Sequence, residues 1–128
     1  MDRPDPQTTP FDPWSFRDEA SVIGSELVGY KVEATDGGIG KIDAANYDVD
    51  ASHLVVDTGA WIFGKKVMLP AGVVNQVDHD GKKVHVDRSK DEIKHAPEYD
   101  ADVHTDPAYR DKLGGYYGEM YDPARPRL

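Results

Sequence analysis

Between residues 27 and 87 the chain is cut into short β-prone segments by closely spaced turn signals. This spacing leaves no room for crossover helices between parallel strands and favours a sandwich or barrel. Val28, Tyr30 and Val32 alternate with polar or small residues, as do Val84 and Val86. The runs His53-Leu54-Val55-Val56 and Lys65-Lys66-Val67-Met68-Leu69 are closed by Asp57 and Pro70. A first strand from Leu27 turns at Asp36-Gly37-Gly38, where glycine permits a positive φ, and returns over residues 39–45. Further strands are expected over residues 53–57, 65–69, 74–78 and 82–87, with Trp61-Ile62-Phe63 as another short β segment. His79-Asp80-Gly81 is the clearest hairpin turn. Pro70 must end its strand or keep it at a sheet edge, since proline has no amide hydrogen for a ladder bond.

The flanks read differently. Residues 1–21 form a proline- and aspartate-rich arm, expected to be flexible, in which Asp12-Pro13 caps a short helix carrying Trp14, Phe16 and Ala20. Residues 22–100 hold the β domain. Its last segment, Ser89-Lys90-Asp91-Glu92, is a capping box whose helix Pro97 stops early. In residues 101–128, Asp106-Pro107 starts a helix that Gly114 should terminate, followed by an aromatic stretch and a proline-rich end, residues 122–128, expected to be disordered.

The order and spacing of several pieces carry a resemblance. Leu27-Val28-Gly29-Tyr30-Lys31-Val32 with Gly40-Lys41-Ile42 resembles the opening of the PRC-barrel family, known from the photosynthetic reaction-centre H subunit. The likeness continues through Leu54-Val55-Val56-Asp57, Lys66-Val67-Met68-Leu69-Pro70, Val84-His85-Val86-Asp87 and Ser89-Lys90-Asp91-Glu92-Ile93. Leu113-Gly114-Gly115-Tyr116-Tyr117-Gly118 looks like the aromatic tail that follows the barrel in that subunit. The resemblance implies an all-β fold, a small antiparallel barrel with short flanking helices and flexible termini, used as a docking module. Members that stand alone suggest a soluble adaptor, stress-associated and self-associating as a dimer. Two other roles found in the family, an accessory subunit of electron transport and association with the ribosome or RNA, stand as alternatives.

Charge and composition narrow these roles. Twenty-four acidic against fifteen basic residues give a formal charge of −9, which opposes nucleic acid and anionic lipid. Lys65-Lys66, Lys82-Lys83 and Lys41 are the one candidate cationic stripe, and charged strand edges that resist aggregation account for them as well. The absence of cysteine removes thiolate chemistry and disulfides. No signal-like start or bilayer-length apolar run is found, so a cytoplasmic protein is expected.

Catalytic and metal signals fail on spacing. Gly37-Gly38-Ile39-Gly40 lacks the lysine and helix of a phosphate loop, and no nucleophile elbow occurs. Residues 100–106 imitate the start of a calcium loop, but Thr105 stands where glycine is needed. His53 with Asp57, Asp78-His79-Asp80, and His85 with Asp87 are two- or three-donor fragments rather than ligand sets. No enzyme activity, cofactor or metal is expected. Aromatic side chains are the remaining candidates. Trp61 and Phe63 share one strand face, and each ring buries roughly 150–250 Å², on the order of 4–6 kcal/mol at about 25 cal/mol per Å². Either the core or a partner must cover them. Trp14, Phe16, Tyr116, Tyr117 and Tyr121 pose the same choice between folding back onto the barrel and reaching a second copy.

Overall fold

The computed structural model describes residues 12–17, 22, 26–48, 51–59, 65–99 and 106–121. Six strands form one sheet: β1 (Lys31–Ala34), β2 (Gly37–Asn46), β3 (His53–Asp57), β4 (Lys66–Pro70), β5 (Val74–Asp78) and β6 (Lys83–Val86). Their spatial order is β4-β3-β2-β1-β6-β5. Two helices follow, α1 (Lys90–Lys94) and α2 (Pro107–Met120). The Trp61-Ile62-Phe63 segment and Ala20 lie outside the described residues.

The sheet corrects the expected closed antiparallel barrel in two ways. Ladders β1·β2, β2·β3, β3·β4 and β5·β6 are antiparallel, whereas β1·β6 is parallel. The cause is the junction after β4, where Pro70 leads into a single 3-10 turn (Ala71–Val73) and β5 continues without reversing direction. With one reversal missing from the meander, β6 returns parallel to β1. The same junction bends the sheet. Six flat strands at about 4.8 Å spacing would set the edges roughly 24 Å apart, but a three-residue 3-10 turn rises only about 6 Å. The edges β4 and β5 are therefore drawn together at this end, although no ladder joins them among the described residues. Bulges at Val32/Glu33, Ile42/Ala44 and Val74/Gln76 supply local twist for the curl.

Both hairpin turns depart in detail from the expected positions. The first sits at Thr35-Asp36, with Gly37 already paired to Ala34. It is held there because Thr35 N donates to Arg88 O (3.1 Å) and Lys90 N donates to Asp36 Oδ1 (2.9 Å), tying the turn to the start of α1. The second is a four-residue turn in which Lys82, not Gly81, takes the positive φ of 54°. Asp78 Oδ1 accepts the Gly81 amide (2.9 Å), and a Cβ on Gly81 would stand 2.6 Å from Asp78 Oδ2.

One hydrophobic cluster runs through the sheet and both flanks. Leu27, Val32, Leu54, Leu69 and Val84 from the β region share it with Phe16 of the arm and with Ile93, Leu113 and Tyr117 of the helices. The Ser89 capping box is formed in both directions, with Glu92 N donating to Ser89 Oγ (3.1 Å) and Ser89 N donating to Glu92 Oε1 (2.8 Å). Asp106 caps α2 with Pro107 at its first turn, but the helix passes straight through Gly114 to Met120. Gly114 is a packing residue instead of a terminator. A Cβ there would stand 3.0 Å from Trp14 Nε1 and 3.5 Å from Pro13 Cγ, so its missing side chain lets the arm lie against the helix.

Candidate interaction surface

The arm reaches the sheet through main-chain bonds before any aromatic packing is counted. Ser52 N donates to Trp14 O (3.0 Å) and Gly72 N to Pro13 O (2.9 Å). Asp12 forms a capped turn, accepting from Trp14 N and Ser15 Oγ (2.9 Å each), and no helix occurs in residues 12–17. Trp14 is half-buried, edge-on to His53 (6.3 Å between ring centres) and beneath the Arg110 guanidinium (4.7 Å). Phe16 is buried and lies 6.0 Å from the Tyr47 ring. Arg17 donates to Gly72 O (2.7 Å) and pairs with Asp87 (2.7 Å). Gly114→Val is expected to push Trp14 off the helix, costing about 1–3 kcal/mol by overpacking. In a Trp61→Phe background this would appear as a red-shifted tryptophan emission, and unchanged emission would place the arm elsewhere.

The C-terminal aromatics are likewise brought back onto this chain. Tyr117 is fully buried, Tyr116 donates its hydroxyl to Glu92 O (2.5 Å), and the two rings meet edge to face at 5.0 Å. Tyr121 closes the end of α2 by donating its hydroxyl to Asp87 Oδ1. Its ring lies under the guanidinium groups of Arg88 (4.5 Å) and Arg17 (5.2 Å). Arm, strand end and helix end thus share one carboxylate. The structure brings Trp14, Phe16, Tyr116 and Tyr117 into or against the core, while Trp61 and Phe63 fall outside the described residues.

The histidines are dispersed. His53 Nδ1 donates to Ala51 O (2.8 Å), His95 Nδ1 to Asp91 O (2.7 Å), and His79 Nδ1 shares a hydrogen bond with the Tyr30 hydroxyl (2.9 Å). Among the described residues no group of three histidine, aspartate or glutamate side chains stands close enough to hold a metal ion. Nor is any helix among them long and apolar enough to cross a membrane.

Strand register rearranges the lysine stripe. Lys41, Lys31 and Lys83 lie side by side on adjacent strands, with Asp57 beyond Lys41 and Asp78 beyond Lys83. Lys31 was not anticipated as the centre of this row, because only a known register reveals it. Lys65 pairs with Glu98 (2.7 Å) and Lys66 with Asp43 (2.8 Å). The Asp43 carboxylate raises the Lys66 ammonium above its ordinary value, and Lys65 lowers the Glu98 carboxyl. Like charges opposed across strands are destabilising, so Lys31→Glu is expected to raise stability by about 0.5–1 kcal/mol, read as a higher melting temperature that falls back at high salt.

A groove of about 540 Å³ runs along β4, between that strand and the segment after α1. Its apolar lining includes Val67, Met68, Ile93 and Ala96, and Lys65, Lys66, Lys94 and Glu98 line it as well. Among the described residues β4 has a single strand neighbour, β3. The groove escaped the sequence reading because it depends on which strand ends the sheet.

No protein-family model matches the chain, and no curated protein does. Among solved structures, a chain from Pseudomonas aeruginosa described as the 16S ribosomal RNA processing protein RimM is similar, at 25% identity and a TM-score of 0.43. The likeness covers 51% of this chain and 42% of that one, so this chain spans less than half the length of the protein it resembles.

Proposed function

We propose that this chain is a non-catalytic PRC-barrel-type module that works by docking other proteins. The observation that carries this reading is the groove between β4 and the segment after α1, with Val67, Met68, Ile93 and Ala96 in its lining. Apolar grooves of this kind supply pockets for a partner's side chains. Trp61 and Phe63 lie in the sequence between β3 and β4 and are not among the aromatics of the described core. In the homodimeric form of this reading they meet a second copy. Light scattering of the wild type and of Trp61→Ser/Phe63→Ser over a range of concentrations tests that form: a dimer lost in the double variant supports it, and a monomer throughout removes it. Capture on the immobilised chain at low and high salt tests docking in general. A stoichiometric partner retained at high salt agrees with an apolar groove, and no partner at either salt sinks the reading.

A further inference from the structure

We infer that Lys41, Lys31 and Lys83 form a binding site for a short oligophosphate, a compact anion of a few linked phosphate groups. None of the three lines the groove beside β4. Lys31 stands directly opposite Lys41 of β2 on one side and Lys83 of β6 on the other. Directly opposed residues share a face, and neighbouring strands lie about 4.8 Å apart, so the three side chains leave the sheet in a row about 10 Å long. Lys31 N donates to Lys82 O (3.0 Å), which holds the β1·β6 register at this row. Val32, Ile42 and Val84, the next residue on each strand, are buried on the opposite face, while Lys31 and Lys41 are exposed and Lys83 partly so.

Two ordinary uses of strand lysines do not apply to this row. Charged side chains protect sheet edges, but β2, β1 and β6 are interior strands, each with a strand on both sides. Lysines also serve as ion-pair partners, yet none of these three forms an ion pair or side-chain hydrogen bond with a described residue. The carboxylates around them are engaged elsewhere. Asp57, opposite Lys41, accepts Gly59 N at Oδ1 (2.9 Å), and Asp78, opposite Lys83, accepts Gly81 N at Oδ1 (2.9 Å). Asp43 Oδ2 accepts from Lys66 Nζ (2.8 Å), and Glu33 lies over Gly38, where a Cβ would stand 2.7 Å from Glu33 Oε2. A chain with 24 acidic and 15 basic residues thus keeps three ammonium groups side by side without an ion-pair partner of its own among the described residues, at a cost in cross-strand repulsion. An anion seated across them turns that repulsion into attraction.

The surroundings select the ligand class. Asp57 and Asp78 end the row, so a long polyanion would meet carboxylates at both ends. Two residues along the strands the same face carries Glu33, His85 and Asp43, which offer no apolar anchor for a peptide. A ligand held here is therefore small, recognised by charge and hydrogen bonding, and carries several anionic groups within about 10 Å. Linked phosphates meet these requirements, since each ammonium is a compact charge with three donors for phosphate oxygens.

Tripolyphosphate titrated calorimetrically into the full chain at about 50 mM salt should bind saturably at one site, with orthophosphate and triglutamate at least about tenfold weaker. Lys31→Gln and Lys41→Gln, each checked for native circular dichroism, should each weaken tripolyphosphate at least about fivefold. Lys65→Gln, which removes an ammonium paired with Glu98, should change its affinity by less than about twofold. Free Lys31→Gln should also melt above the wild type yet gain less from added tripolyphosphate, because substitution and ligand relieve the same repulsion. No saturable binding at about 10 mM tripolyphosphate overturns the inference, as does equal binding of orthophosphate or triglutamate, or unaltered affinity in both row variants. A single-stranded RNA of about twenty nucleotides that binds more tightly than tripolyphosphate, and loses that binding in Lys31→Gln, also overturns it by making a long polyanion the occupant.

Discussion

Gly40→Ala is expected to cost on the order of 3–5 kcal/mol, enough to unfold most of a domain whose whole stability is of order 5–15 kcal/mol. A Cβ at this position would stand 2.0 Å from the Asp57 carbonyl oxygen and 2.9 Å from Thr58 Cα, both main-chain atoms that no rotamer change can move. The backbone also has φ +149°, which an L side chain rarely adopts. The clash falls where β2 and β3 pair at Lys41 and Asp57, so relief would require the strands to part. Gly115 and Gly118 make the comparison, because a Cβ on either meets nothing within 4 Å and both lie within α2. Alanine at each should stabilise by about 0.5–1 kcal/mol. Urea midpoints of the three variants would decide the matter: a Gly40→Ala protein with a wild-type midpoint would mean the two strands do not approach as described.

The contrast between these glycines shows what the chain discloses unaided. Segment positions were legible wherever a local pattern sufficed: residues 53–57 and 74–78 are strands as read, and Ser89 and Asp106 cap their helices. These features depend on near neighbours and on chemistry that travels with the residue type. Gly114 was misread because a glycine after an apolar helical run has two uses, termination and close packing, and only Trp14 lying against it distinguishes them. The parallel β1·β6 pair was hidden for a similar reason: Pro70 announces an interruption but not whether the chain reverses there or merely bends. The candidate surface was less legible still. Five of the seven aromatics singled out lie in or against this chain's own core. The β4 groove follows from strand order, a long-range property that alternation cannot encode.

Alkaline unfolding is the second large effect expected. Tyr109 and Tyr117 are buried, and their hydroxyls find no hydrogen-bond partner among the described residues. Burial pushes Tyr109 up to about 12 and raises Tyr117 further. Tyr121 is raised too, first by burial and then by its bond to Asp87, against the opposing pull of Arg88 and Arg17. In an unfolded chain each phenol would ionise near its ordinary value of about 10. Below that pH both states hold the proton and the contribution to stability is complete. Above it the unfolded chain releases protons that the folded one retains, so stability falls through a window from about pH 10 to about pH 12 for Tyr109, and beyond for the others. The two buried phenols alone should remove about 3 kcal/mol by about pH 11 and roughly twice that by about pH 12. Tyrosinate absorbance and far-ultraviolet circular dichroism should therefore change together in one steep transition near pH 11–12 rather than separately. Tyr117→Phe deletes one of these titrations and an unpartnered hydroxyl, so it should shift the midpoint upward while leaving neutral stability unchanged or higher by about 1 kcal/mol. Gradual tyrosine ionisation from pH 10 with secondary structure intact would mean that α2 does not bury these rings against the sheet, and the shared core of sheet and C-terminal helix would have to be given up with it.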